Sequence, residues 1–493
     1  MTIRTRKNVY SLPAGDQTID WYRKAVARLL QKPATDPTSW IYMAAVHGTS
    51  NPVPPPTQNF WDQCQHQSWY FLSWHRGYIT SFEAVVARTV KALGGPADWA
   101  LPYWDYTQAL KQNRRARLMP ASFFNARMPD GSRNALWSQR RSVVGGNFGL
   151  TDAMVSRGAL NVADFTRAQP GAPVGFGGPI TGFHPGGGTS GALENVPHNI
   201  VHVQIGGLMG NPNTAALDPI FWLHHCNIDR LWEMWRSNHA DSADHRWLDG
   251  VSFQMHDGAG QPFTYTSSDM LDSTRVLHGF RYDDVPPVIR ASTESVEEGL
   301  ESMTEGSDDQ RQPELAGANE GPIDITSGNR TIVSMAESAF AESVASAAPS
   351  KVYLNLENVT GSGENGNFYV YVDLPDDGRE PAFVGMLSTF GVERATKSED
   401  MHGGSGISLV LDISEAAAEL GINQGNLDRL RVTFEPVGAP EEAELESVEP
   451  GDSGDTDDGD GELPEAVLEF LGPDLESVGE QRIQVGRVSL FVE

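Results

Sequence analysis

The sequence lacks long apolar runs and has few cysteines. Its basic start, Met1 to Lys7, is not followed by an apolar stretch, so no signal peptide is predicted, and no segment is apolar and long enough to span a bilayer. With only Cys64 and Cys226, a disulfide framework cannot be the basis of stability. We therefore expect a soluble cytoplasmic protein, unless it is exported with a partner that carries its own signal.

Positive charge is also scarce. Lysine and arginine number 36 against 65 aspartates and glutamates, which gives a formal net charge of -29. Phosphate groups would repel such a surface, so nucleic acids and anionic membranes are excluded as partners. The 493 residues, of which 39% are hydrophobic, are too many for one ordinary domain and fit two.

The first 287 residues carry the signatures of a mainly helical domain. Helix caps and apolar residues at three- and four-residue steps suggest a four-helix bundle around a shared interior. The predicted helices are one capped by Asp16 and running to Leu30, one from Asp36-Pro37 to His47, one from Trp69 to Leu93 and one opened by Asp218-Pro219.

The composition changes after residue 287. Residues 288–348 are acidic with few large apolar side chains, and we expect a flexible linker there. Residues 349–493 carry alternating patterns typical of strands and predict a C-terminal β-sandwich domain, interrupted by an acidic loop over residues 441–465. The predicted strands are Val352 to Leu356, Asn367 to Val372, Ser408 to Leu411, Arg431 to Phe434 and Val488 to Val492.

The histidines fall into two groups within apolar, aromatic sequence. A pair such as His198 and His202, four residues apart, shares one helix face and can chelate one ion, although two unrelated histidines would give the same spacing. Burying several imidazoles without partners would be costly, so each group suggests a metal. The first group is His47, His66 and His75; the second is His198, His202, His224 and His225.

The type of ligand indicates the metal. A set of imidazoles without carboxylate or thiolate suits copper better than zinc or iron. Structural zinc sites normally have four ligands, often cysteine, and that pattern is missing. A protein that binds no metal and whose histidines are structural stays an alternative at this point.

Several sequence motifs resemble the copper-binding signatures of the type 3 copper family, which comprises tyrosinases, catechol oxidases and hemocyanins. The resemblance covers nearly all of the first domain. It is carried by DPIFWLHHCNIDRLW from Asp218, by Ser73-Trp74-His75-Arg76, by ALPYWD from Ala100 and by GALENVPHNIVH from Gly191, the last most like plant polyphenol oxidases.

This resemblance implies roles for individual residues. Two copper ions would use O2 to oxidise phenols, with Asp229 accepting a hydrogen bond that orients a ligand, and with His224 as a packed neighbour. A water held by Glu194 and Asn199 would act as base and favour tyrosinase activity, although Glu194 could simply stabilise a helix start. The implied ligands are His47, His66 and His75 for the first copper and His198, His202 and His225 for the second.

Three further expectations come from the resemblance. Phe221 matches an aromatic that narrows access over one copper, with core packing as the alternative, and Cys64 has the spacing to form a thioether with His66. Either Arg4 or Arg6 would close the core together with Phe280 and Tyr282.

The C-terminal domain resembles the domain that covers the copper site of latent polyphenol oxidases until a protease cuts the linker. We therefore expect a latent tyrosinase. A catechol oxidase, an o-aminophenol oxidase and a hemocyanin-like oxygen carrier stay as alternatives, and the sequence leaves the oligomeric state, the phenol and the protease open.

Overall fold

The structure is a computed structural model. Among the residues it describes, no helix combines the length and the apolar character needed to cross a membrane. The described residues are 3–138, 141, 149–183, 187–277, 279–287, 312–326, 330–337, 351–362, 366–375, 378–397, 404–423, 426, 429–438, 464–471 and 482–493.

The predicted helices are present, with ends that differ by a few residues. Asp16 accepts a hydrogen bond from the backbone of Thr18, and Asp218 from that of Ile220, so both carboxylates act at helix starts as predicted. The described helices are α1 (Thr18–Leu29), α2 (Trp40–His47), α3 (Phe71–Ala92), α4 (Ile200–Ile205), α5 (Ile220–Arg236), α6 (His245–Leu248), α7 (Val392–Thr396), α8 (Ser414–Leu420) and α9 (Glu465–Leu471), with a π-helical segment, Glu194–Asn199, before α4.

Strands dominate the C-terminal part of the chain. The predicted strands are all present, and several extend further than the sequence indicated. The described strands are β1 (Arg4–Arg6), β2 (Gly188–Thr189), β3 (Phe253–His256), β4 (Pro262–Tyr265), β5 (Phe280–Tyr282), β6 (Glu314–Ala318), β7 (Ile323–Ile325), β8 (Thr331–Ser334), β9 (Ala336–Glu337), β10 (Val352–Ser362), β11 (Asn367–Asp373), β12 (Ala382–Ser388), β13 (Ile407–Asp412), β14 (Arg431–Pro436) and β15 (Arg482–Val492).

Two sheets organise these strands. One has the order β2-β13-β10-β15-β6-β9, with β7 also paired to β15, and the other has the order β12-β11-β14-β8. Buried side chains of both sheets belong to one hydrophobic cluster, which is separate from the cluster of the helical part. The chain therefore has a helical core followed by a domain rich in strands.

The predicted linker over residues 288–348 is wrong in part. Strands β6 to β9 lie within it, and they pair with β15 and β14 of the second domain. These strands are only two to five residues long, and they are stabilised by pairing with distant strands rather than by a local pattern. Residues 288–311, 327–329, 338–348 and 441–463 of the predicted linker and acidic loop lie outside the described residues.

The two domains contact each other near the histidines. Strand β2 belongs to the helical part of the chain but pairs in parallel with β13, so it joins the larger sheet of the second domain. Arg394 of α7 forms an ion pair of 2.6 Å with Asp62, and both side chains are largely buried. Val467 of α9 is buried in the cluster of the helical core. The second domain is therefore held against the surface that leads to the histidines.

Candidate metal centre

The first histidine group is assembled by two helices and the segment between them. His47 is the last residue of α2, His75 lies in the first turns of α3, and His66 lies in the irregular segment between these helices. Their ring centres are 5.3 to 5.6 Å apart, and all three rings are buried. The structure therefore brings together the three residues predicted for the first copper.

The second group comes from the π-helical segment and two helices. His198 lies in that segment, His202 in α4 and His225 in α5. Their ring centres are 4.6 to 5.3 Å apart. The two groups adjoin, because the ring of His75 stacks on that of His225 with centres 4.5 Å apart. Two metal ions held by the two groups would therefore be neighbours.

The chemistry of these rings fits a pair of metal ions. The Nε2 atoms of His47 and His198 are buried without a hydrogen-bond partner among the described residues, and the Nε2 atoms of His202 and His225 face each other at 3.2 Å. Burial lowers the pKa of all six rings below the usual value, to about 3 for His47 and His198. The imidazoles are therefore neutral and offer bare nitrogens, as a metal ligand must.

Backbone carbonyl groups orient three of the rings. The Nδ1 atom of His47 lies 2.8 Å from the carbonyl oxygen of Pro212, and that of His75 lies 2.8 Å from the oxygen of Phe71. The Nδ1 atom of His202 makes the same contact with Met209 at 2.8 Å. A carbonyl oxygen can only accept, so each Nδ1 carries the proton and each Nε2 is left free for a metal.

His224 also points into the second group, but it has a different partner. Its Nδ1 atom lies 2.8 Å from the hydroxyl group of Tyr106. Its ring stacks on that of His198 with centres 5.4 Å apart, and its Nε2 atom is buried without a partner among the described residues. A fourth buried histidine therefore lies directly beside the second group.

Cys64 lies against the first group. Its Sγ atom is 3.6 Å from Nδ1 and 3.5 Å from Nε2 of His66, and 3.4 Å from Nε2 of His75. The Sγ atom is therefore about equally far from the two ring nitrogens of His66. Burial raises the pKa of the thiol, and Cys226 is likewise a buried free cysteine, as expected for packing.

Glu194 and Asn199 stand at the two ends of the π-helical segment, and both are buried. Both carboxylate oxygens of Glu194 accept the backbone N–H of Gln67, at 2.9 and 3.1 Å, and burial raises the pKa of this carboxyl to about 8. The Oδ1 atom of Asn199 lies 2.8 Å from Nδ1 of His198 and fixes the orientation of that ring.

Among the residues that the structure describes, no histidine forms a hydrogen bond with Asp229, which corrects our prediction of a hydrogen bond to a ligand. Its carboxylate accepts from Arg76 Nε at 2.6 Å, from Arg6 Nη1 at 3.2 Å and from the Tyr282 hydroxyl group at 2.5 Å. It thereby acts on the site through Arg76, the neighbour of His75 in α3.

The N-terminal strand supplies the cation at the centre of this network. Arg6, and not Arg4, binds Glu83 at 2.7 Å and lies 3.5 Å above the ring of Phe280. Its side chain is fully buried. The core is therefore closed by Arg6 together with Phe280 and Tyr282, which decides between the two arginines of the prediction.

Two phenylalanines enclose the histidines. Phe221 is buried, with its ring centre 4.9 Å from His47 and 4.1 Å from His225. Phe390 comes from the second domain, and its ring stacks on that of His202 with centres 4.2 Å apart. Sequence reasoning missed Phe390, because a single aromatic residue that lies far along the chain gives no local signal.

The comparisons with known proteins agree with this site. The family model described as the common central domain of tyrosinase matches residues 37–238, and a model described as a domain of unknown function matches residues 312–449. A tyrosinase from Hahella sp. is 35% identical over 445 residues, which is 85% of this chain and 92% of that protein. The chain belongs to the tyrosinase family.

For other relatives, the match to this chain covers a smaller share of the relative's length. A chloroplastic polyphenol oxidase of Vitis vinifera is 30% identical over 297 residues, or 54% of this chain and 45% of the relative, so the chain spans about half of that protein. Latent apple tyrosinase shares the fold, with a TM-score of 0.54 and 19% identity over 100% of this chain and 98% of that one.

Membership of the tyrosinase family makes the protein an oxidoreductase that acts on phenols. The two groups of histidines fit the two ions of the family's dinuclear copper site. The comparisons contradict our prediction of a cytoplasmic protein, because several plant relatives are named as chloroplastic.

Proposed function

We propose that this protein is a tyrosinase that uses O2 to hydroxylate monophenols and to oxidise o-diphenols to o-quinones. Two bound copper ions would supply the binding and activation of O2. The observation that carries the proposal is the pair of adjoining, buried imidazole groups with bare nitrogens. The proposed ligands are His47, His66 and His75 for the first copper and His198, His202 and His225 for the second.

We further propose that α2, α3, α4 and α5 form a four-helix bundle around the metals, and that the two sheets form a β-sandwich. The first point is supported by the histidines that each of these helices carries. The second is supported by the hydrophobic cluster that both sheets share. In this arrangement the helices hold the metals, and the sheets provide a cover.

Hydroxylation needs a base that removes the proton of the phenol. We propose that Glu194 and Asn199 hold a water beside His198 for this purpose. Their burial at the two ends of the π-helical segment supports this role. Phe221 contacts the rings of His47 and His225 and would limit the space for the phenol. It belongs to the helical domain, whereas Phe390 belongs to the second domain.

We propose that the C-terminal domain keeps the enzyme latent. Phe390 would occupy the place of the phenol ring, since it stacks on His202 and also lies 5.5 Å from the ring centre of His66. The ion pair between Asp62 and Arg394 fixes the helix that follows Phe390. We also propose a thioether between Cys64 and His66, supported by their contact.

The test is a comparison of a monophenol and its catechol before and after removal of the cover. A specific protease site should be placed within residues 288–311, because strands of the covering sheets begin at Glu314. We expect little turnover before cleavage and turnover of both phenols afterwards, and Phe390→Ala should raise activity without cleavage. The chain without the new site, treated with the same protease, is the control.

The other outcomes separate the alternatives. Turnover of the catechol alone would identify a catechol oxidase and contradict the proposed role of Glu194 and Asn199. Oxidation restricted to o-aminophenols would identify an o-aminophenol oxidase. Reversible O2 binding without turnover of any phenol, even after cleavage, would identify an oxygen carrier and refute the proposed enzyme.

A further inference from the structure

A chain of hydrogen bonds crosses the site behind the histidines. The backbone N–H of Gly187 donates to Gln67 Oε1 at 2.9 Å, and Gln67 Nε2 donates to Ser190 Oγ at 3.5 Å. The Nδ2 atom of Asn199 also donates to Ser190 Oγ, at 3.2 Å. The chain ends where Asn199 Oδ1 meets Nδ1 of His198 at 2.8 Å. Ser190 is thus the one hydroxyl group between the two amides in this chain of contacts.

The donors and acceptors in this series of hydrogen bonds show which end of each amide faces which neighbour. A backbone N–H can only donate, so Gly187 holds the oxygen of the Gln67 amide, and the nitrogen of that amide faces Ser190. The two ends of the Asn199 amide have almost the same shape but opposite hydrogen-bonding roles. In the structure Asn199 places its Nδ2 atom on Ser190 Oγ and its Oδ1 atom on Nδ1 of His198, so the contact with Ser190 anchors the amide in the orientation in which Oδ1 faces His198.

We propose that Ser190 is a positioning residue for the second copper site. Its hydroxyl oxygen holds the Asn199 amide so that Oδ1 accepts the proton of His198 Nδ1. The Nε2 atom of His198, which has no partner among the described residues, then keeps its lone pair for the metal. This inference rests on the proposed function, in which His198 is a ligand.

The surrounding backbone holds Ser190 in place from two sides. Ser190 directly follows β2, which pairs in parallel with β13 of the second domain. On the other side stands Gln67, whose backbone has a left-handed φ of 48° and whose N–H binds Glu194. Residues other than glycine rarely adopt such a φ, so the contacts of Gln67 must maintain this backbone conformation. Ser190 is therefore placed by the fold and is not a freely rotating surface residue.

The test measures how fast copper is lost from the full chain. Copper-loaded wild type and variants are exposed to a chelator, and the copper that remains is followed by mass spectrometry. We expect Ser190→Ala to lose one of its two coppers roughly tenfold faster, since removing the support of a ligand typically weakens metal binding by that order. Ser190→Thr, which keeps the hydroxyl group, should behave as wild type. Ser267→Ala, which removes another buried hydroxyl group that bonds to Ser73, is the matched control.

A second variant separates positioning from general destabilisation. In Asn199→Ala the amide that Ser190 would hold is absent, so adding Ser190→Ala should then change the rate of copper loss little. Equal rates for wild type and Ser190→Ala, or equal acceleration by Ser267→Ala, would overturn this inference alone. A wild-type chain that binds no second copper would overturn the proposed function and this inference with it.

Discussion

Replacing Arg6 with methionine should destabilise the helical domain strongly, whereas the same change at Arg4 should have little effect. Both residues lie in β1, but the side chain of Arg6 is fully buried and that of Arg4 is partly exposed. Arg6 donates to Glu83 at 2.7 Å and to Asp229 at 3.2 Å. Removing it takes the cation from the buried carboxylate of Glu83, whereas Asp229 keeps its ion pair with Arg76.

The expected magnitude follows from the cost of an uncompensated buried charge. Breaking a buried ion pair by removing one partner costs about 3–5 kcal/mol, so we expect Arg6→Met to lower the free energy of unfolding by about that amount. A substitution at a surface position usually changes this free energy by about 0.5 kcal/mol or less, which is our expectation for Arg4→Met.

Tryptophan fluorescence during urea unfolding is the suitable assay. All 12 tryptophans lie between Trp21 and Trp247, so the signal reports the helical domain and not the strand-rich one. The metal-free protein should be used for both variants, because bound copper would add stability that depends on its concentration. If the free energies of unfolding of Arg6→Met and Arg4→Met differed by less than about 1 kcal/mol, the importance of this buried cation would be refuted.

Three further predictions concern the cover, the apo site and the thiol. Val467→Asp, which places a charge in the buried face of α9, should raise catechol oxidation by the intact chain severalfold, whereas Leu468→Asp on the exposed face should not; equal rates would contradict a role for α9 in holding the cover. Because burial lowers the pKa of His47 and His198 to about 3, the unfolded state binds more protons below its histidine pKa of about 6.5. The metal-free protein should therefore lose stability as the pH falls from about 6.5 towards 3, by up to about 1.4 kcal/mol per pH unit for each histidine, and a urea midpoint independent of pH would contradict this. A thioether would form with loss of the Sγ hydrogen of Cys64 and one ring hydrogen of His66, with O2 as the acceptor of the two electrons. A chain loaded with copper in air and then stripped of the metal should therefore be lighter by two hydrogen atoms than a chain that was never loaded, in intact mass spectrometry, and Cys64→Ser should abolish that difference; identical masses before and after loading would exclude the thioether.

Much of the helical part could be predicted from the sequence, because its signals are local. The caps at Asp16 and Asp218 act as predicted, and the spacing of His198 and His202 does place both rings at one site. Local periodicity, capping and the identity of side chains determine these features, so a short window of sequence contains them.

The features that were missed depend on distant contacts. Phe390 reaches His202 only because the second domain packs on the first, and strands β6 to β9 form only by pairing with β14 and β15. Asp229 was predicted to bind a histidine, but its partners come from the N-terminal strand, from α3 and from β5. The local sequence does not predict which of several buried cations a carboxylate will bind.

Copper content per chain tests the central claim most directly. Protein loaded with copper, freed of excess metal and measured by mass spectrometry should hold two ions in the wild type. His47→Ala and His198→Ala should each hold one, since each removes a ligand of a different ion. His224→Ala should still hold two, because the three proposed ligands of the second copper, His198, His202 and His225, all remain. A wild-type chain with fewer than two coppers, or a loss of copper in His224→Ala equal to that in His198→Ala, would contradict the account.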